Sequence, residues 1–185
     1  MLTTECHAGG QSVVLFYVFS GEKMNFNIGE LIIYGENGVC RVEGIEQRLF
    51  LGELTECYTL QPIYKSYVIY TPTSNVNVPM RPIISAEKAQ SAIKDFNLIT
   101  PKEMEYPSPR AATAAYTEIV KSLDFDKLIM LTVFLKGKQK RVQSEGKPFS
   151  AIDERFLKKS VELLAGELAA ALNISTAEVL ATLKA

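Results

Sequence analysis

The apolar and polar positions along this chain follow two periods in succession. From Asn25 to about Ile84 the apolar runs are short, β-branched and aromatic, which predicts strands. Phe26 to Tyr34 is the first run, and Gly35-Glu36-Asn37-Gly38 stops it. The Asn37-Gly38 pair signals a tight turn because both residues tolerate positive φ. Val39 to Glu46 alternates and reads as the second strand. Arg48 to Glu56, with Gly52 inside it, reads as a hairpin connection. Cys57 to Pro62 and Tyr67 to Pro72 are two more strands, each ending on a proline, where a missing ladder N–H costs least. Strands spaced near ten residues apart predict a small barrel.

After Arg81-Pro82 the period becomes helical. Ser85 is placed to cap a helix carrying Ala89, Ala92, Ile93 and Phe96. Thr100 to Pro109 holds three prolines and reads as a linker. Ala111, Ala115, Ile119 and Val120 form the next stripe. Asp124 caps an almost wholly apolar segment, Leu128 to Leu135, which predicts burial on most sides. Lys136 to Lys147 reads as a basic, glycine-containing connection. Ser150 with Asp153 resembles a capping box, and Ser175 with Glu178 is a full one. The expected organisation is residues 24–84 as a strand domain, 85–109 as a helix and linker, and 110–185 as an all-helical domain.

The first 23 residues do not follow either period. Ser12 to Phe19 is apolar but far shorter than the ~20 residues a membrane-spanning helix needs, and no basic segment precedes it. Gly21-Glu22-Lys23 is encodable by a purine-rich run of the kind found in bacterial ribosome-binding sites. Residues 1–23 are therefore expected to be a non-native extension, with Met24 as the start.

Composition narrows the function. The 185 residues hold 20 Lys+Arg against 21 Asp+Glu, three Cys, one His and no Trp. One His excludes a multi-His metal site within the chain. Cys6, Cys40 and Cys57 have no CxxC spacing, so a reduced, cytoplasmic location is expected. No nucleotide loop, zincin or nucleophile-elbow motif occurs, so neither an enzyme nor a cofactor is expected. Asp124 and Asp126 read as helix-start residues and not as an acid–base pair. The near-zero total conceals an asymmetry. Through Pro109 there are 8 basic and 12 acidic residues; from Arg110 there are 12 basic and 9 acidic. Lys136, Lys138, Lys140, Arg141 and Lys147, with Lys158 and Lys159 nearby, are candidate phosphate contacts of low sequence specificity.

The segment Phe26-Asn27-Ile28-Gly29-Glu30-Leu31-Ile32-Ile33-Tyr34, followed by Asn37-Gly38-Val39, Ile45-Glu46, Tyr58-Thr59-Leu60, Thr71-Pro72 and Met80 to Ser85, resembles the RNA-polymerase-interacting domain of CarD-family transcription regulators and of the transcription-repair coupling factor. Phe149 to Arg155 and Leu163 to Leu168 look like the CarD helical domain. The resemblance implies an α+β chain, a Tudor-like or SH3-like barrel followed by helices. It implies docking on the polymerase β subunit by β-augmentation, through Leu49 to Tyr58 and Tyr67 to Thr71. Arg48 falls where the family carries a basic polymerase contact. Tyr70 falls where some members carry a second one, and here it is aromatic. Leu49, Tyr58 and Tyr67 complete the expected polymerase-binding set. The helical half is expected to lie on upstream promoter DNA. Many members place a Trp near the start of the first long helix, as a minor-groove wedge; this chain offers Tyr106 and Arg110 instead. The expected function is a monomeric, non-membrane transcription regulator that modulates open-complex stability. The alternative is a polymerase-binding adaptor whose helical half contacts protein and not DNA.

Overall fold

A computed structural model describes residues 25–50, 52–74, 77–101 and 104–184; the expected extension, residues 1–23, lies outside them. Five strands come first: β1 (Leu31–Tyr34), β2 (Val39–Phe50), β3 (Glu53–Pro62), β4 (Ile69–Pro72) and β5 (Met80–Pro82). Five α-helices follow: α1 (Ala86–Asp95), α2 (Pro109–Ser122), α3 (Phe125–Ser144), α4 (Ala151–Leu172) and α5 (Thr176–Lys184). The α+β expectation therefore holds. Among the described residues the sheet does not close into a barrel. The antiparallel sheet runs β4-β3-β2-β1-β5, and its two end strands do not pair with each other.

The strand boundaries move for local reasons. Asn27 and Glu30 close a turn, with the Glu30 carboxylate accepting from the Asn27 N–H (2.9 Å), so β1 starts only at Leu31. Gly35 to Asn37 forms a single 3₁₀ turn, and Gly38 leaves it at φ +78° to start β2. Arg48 to Glu56 is not a loose connection. The ladder runs out to Leu49↔Leu54 and Phe50↔Glu53, so only a tight turn containing Gly52 (φ +91°) separates two long strands. A register shift between Val42 and Gly44 is the kind of bulge that adds local twist.

The alternation within the strands builds two layers. Ile32, Tyr34, Cys40, Val42, Tyr58 and Leu60 face one side and enclose Phe26. Ile33 and Val39 face the other side and pack on Leu123, at the α2–α3 junction. The helical core is formed by Tyr116, Leu131, Leu135, Phe156, Leu164 and Leu168 among others. Caps delimit its helices: Ser85, Ser108 and Asp124 accept from the N–H groups of Lys88, Ala111 and Lys127. The Ser175–Glu178 box is reciprocal, as expected. The Ser150 hydroxyl accepts from the Ile152 N–H, but Asp153 does not complete a box; its carboxylate goes to Lys138.

Sheet and helices are tied by polar contacts between residues far apart in sequence. The Tyr64 hydroxyl donates to the Gly166 carbonyl (2.9 Å), and a Cβ at Gly166 would come within 3.0 Å of the Tyr64 ring. Lys159 donates to the Glu36 carbonyl (2.7 Å). Arg81 of β5 reaches α4, where both guanidinium ends meet the buried Glu167 carboxylate (2.5 and 2.8 Å), and its Nε donates to the Leu123 carbonyl (2.6 Å). Glu167 also accepts from the Ile84 N–H (3.1 Å).

Candidate functional site

The distal part of the β2–β3 hairpin is an organised and exposed surface. β1 pairs with β2 only through Arg41, and β4 pairs with β3 only from Cys57 to Leu60. Val42 is still bonded to Gly29 and Glu30, and the Glu56 carbonyl still accepts from the Thr73 N–H; only from Glu43 onward in β2 and up to Thr55 in β3 do the two strands form a ribbon with outer backbone edges open to a partner strand. Leu49 and Leu54 sit opposite each other near its tip, 73% and 75% exposed. An apolar cross-strand pair left in water is an unpartnered contact surface.

Arg48 lies one residue behind that pair and is held in place. Its Nε donates to the Glu46 carboxylate (2.9 Å), and its guanidinium lies 3.5 Å from the centre of the Tyr70 ring. The same Glu46 oxygen accepts from the Thr59 hydroxyl (2.9 Å). The donors from Arg48 and Thr59 hold the Glu46 carboxyl below its usual pKa. Tyr70 thus supports Arg48 by cation–π contact where a second cation was expected from the resemblance. Arg48 and Tyr70 come together on the ribbon and its neighbouring edge strand, while Leu49, next to Arg48 in β2, pairs with Leu54 on the opposite face of the ribbon. The other two residues of the expected set do not join them. Tyr58 is 1% exposed and its hydroxyl accepts from the Phe26 N–H (3.1 Å), so it belongs to the sheet core. Tyr67 lies at the opposite end of the sheet, where its hydroxyl donates to the Asn37 side chain (2.9 Å). Leu54, Glu46 and Thr59 are the members that sequence reasoning missed. The signal for Leu54 was Gly52, which once taken as a tight turn sets Leu49 against Leu54.

The basic cluster is reorganised more thoroughly. Gly137 does not end α3, which continues to Ser144, so Lys136, Lys138, Lys140 and Arg141 stand on a helix and not on a connection. That spreads them around the axis. Lys136 turns inward to the Leu183 carbonyl and lies over the Phe96 ring; burial, then Lys140, lower its pKa. Lys138 pairs with the buried Asp153 (2.7 Å). Lys147 pairs with its neighbour Glu145 (2.7 Å), and Lys159 is bound to Glu36. Arg141 remains exposed. Lys140, Lys158 and Arg110 are exposed and have no ion pair among the described residues, nor has Arg155, which sequence reasoning passed over. Tyr106 is held against the helical core. Its hydroxyl donates to the Met104 sulfur (3.2 Å), and its ring meets Tyr116 edge-on at 5.4 Å.

Residues 26–84 match the family model of the CarD-like/TRCF RID domain. The match covers the sheet, from the Phe26 anchor to the end of β5, and stops short of α1. Domains of this family interact with the RNA polymerase β subunit.

Proposed function

We propose, from the match of residues 26–84 to the CarD-like/TRCF RID family model, that the chain is a transcription regulator that docks on the RNA polymerase β subunit through the β2–β3 ribbon. The observation that carries this reading is the ribbon itself: open backbone edges, the exposed Leu49–Leu54 pair and an Arg48 fixed by Glu46 and Tyr70. Backbone edges supply β-augmentation, and the side chains supply register and specificity. With Arg48→Glu, the amount of β subunit co-purified from a bacterial lysate is expected to fall several-fold at unchanged thermal stability. The substitution puts a carboxylate beside Glu46 and above an aromatic face, where a cation stood. Undiminished recovery would remove Arg48 from the interface.

In the same proposal the helical half rests on promoter DNA and favours the melted state by binding it better. Support comes from the exposed cations that have no ion pair among the described residues: Arg110, Lys140, Arg155 and Lys158. Changing Lys140, Arg155 and Lys158 together to Ala is expected to weaken DNA binding and to lower the salt slope by up to about 3, roughly one per phosphate contact. Lys147→Ala is expected to change little, since Lys147 is already paired with Glu145.

A second reading, the protein-binding adaptor, is favoured by one observation. Lys136, Lys138, Lys147 and Lys159 are all engaged within the chain, which leaves a thinner positive surface than the sequence suggests. A flat salt response with no effect of the triple change would select it.

A further inference from the structure

Between the starts of α2 and α4 lies a cavity of about 370 Å³, in the lower part of the range of small-molecule pockets, roughly 300–1,000 Å³. Its walls are of three kinds. Met104, Tyr106, Pro107, Pro109, Ala112 and Ile152 are mainly apolar, and Tyr106 offers an aromatic ring. Lys138 and Asp153 add a hydrogen-bond donor and an acceptor side by side, 2.7 Å apart. Ser108 and Ser150 bring the capped N-termini of helices of 14 and 22 residues to the same cavity.

The polar part is costly to the fold. Asp153 is buried, and an ion pair drawn from water seldom returns more than its desolvation cost. Behind it Tyr116 is fully buried, and its hydroxyl closes no well-formed hydrogen bond among the described residues. Burial and the adjacent Asp153 charge raise the Tyr116 pKa. A core that needed only to pack would do better with apolar side chains at these positions. Lys138 and Asp153 instead line an accessible cavity, and Tyr116 lies in the core outside its lining.

We propose that this cavity binds a nucleotide unit. The base lies between the apolar walls against Tyr106, its edge meets the Asp153 carboxylate and the Lys138 ammonium, and its phosphate lies toward the two helix N-termini. Each part of the ligand has its counterpart. A planar heterocycle has a face for the aromatic wall. Every base edge carries adjacent donor and acceptor groups for the carboxylate and ammonium. A phosphate suits the partial positive charge of helix N-termini. The unit has two sources, a free mononucleotide or an unpaired residue of a nucleic-acid strand. The pocket does not depend on the duplex-DNA contact proposed above.

The full chain is titrated calorimetrically with each of four mononucleotides, with a ten-residue single-stranded oligonucleotide, and with the same oligonucleotide made abasic. Saturable binding below about 1 mM by a mononucleotide or by the intact oligonucleotide is expected. Ala112→Leu, which narrows the cavity without touching the ion pair, is expected to weaken it at least tenfold. Binding of the mononucleotides identifies the free ligand as the source. Binding of the oligonucleotide alone, lost on removal of the bases, identifies the strand. The proposal is overturned if neither ligand binds, if the abasic strand binds as well as the intact one, or if a folded Ala112→Leu protein binds undiminished. The abasic comparison needs no variant, so a misfolded substitution cannot shield the proposal. Duplex binding measured in parallel separates this outcome from failure of the promoter-DNA reading.

Discussion

Arg81→Met is expected to destabilise the chain by about 3–5 kcal/mol, the range for removing one partner of a buried ion pair. Glu167 is 2% exposed and accepts from both ends of the Arg81 guanidinium and from the Ile84 N–H. Without Arg81 its carboxylate is left in the junction between sheet and helices with one backbone donor. Arg81 also donates to the Leu123 carbonyl, at a residue held in the left-handed region with φ +54°. The loss therefore reaches the α2–α3 corner. At roughly 2–4 °C per kcal/mol for a chain of this size, the midpoint should fall by roughly 6–20 °C. Arg81→Met combined with Glu167→Met is expected to recover most of that loss, because it removes the buried charge together with its partner. The measurement is thermal unfolding by circular dichroism of both single variants and the double variant. A single-variant loss below about 1 kcal/mol, or strictly additive losses, would show that the pair does not act as a unit.

The second large effect concerns the ribbon tip. Leu49→Asp with Leu54→Asp is expected to abolish recovery of the polymerase β subunit while leaving the unfolding midpoint unchanged. Each leucine, if buried at an interface, contributes about 1.5–3 kcal/mol by removal from water. Losing two corresponds to a fall in affinity of roughly 10²–10⁴. The fold should tolerate the change because both side chains already stand in solvent, and neither belongs to the sheet core. Two facing carboxylates will fray the last rungs of the hairpin, but β3 remains paired to β4 from Cys57 onward. Surface-captured polymerase and protein of known concentration give the comparison. Wild-type affinity in the doubly substituted chain would place the interface elsewhere, with Tyr67 at the far end of the sheet as the next position to change.

The two effects differ in how readily the sequence announces them. Arg48 was placed by resemblance, and Leu49 by its position beside it. Leu54 needs the register, which follows from a tight turn at Gly52 and stays hidden while Arg48 to Glu56 reads as a connection. Tyr58 and Tyr70 are aromatic residues of neighbouring strands with opposite fates, one in the core and one under Arg48. Strand alternation gives two faces but does not say which face meets the core until the sheet is packed. Nothing local marks Arg81 and Glu167, which are 86 residues apart.

Local chemistry determined much of this protein on its own. The change from period two to helical period after Arg81-Pro82, the caps at Ser85, Asp124 and Ser175, and the likeness of residues 26–84 to the CarD-like/TRCF RID family model depend on short-range spacing and are visible in the chain. Only the tertiary structure decided which charges remain available. Lys136, Lys138 and Lys159 contribute to a basic cluster when counted along the sequence. In the folded chain the Leu183 carbonyl, Asp153 and Glu36 take them up. Charge is a property of a residue, whereas its availability depends on what the fold brings within about 3 Å of it. The open sheet has the same origin. Strand propensity produced the five strands, but barrel closure requires the end strands to meet, and β4 and β5 do not pair.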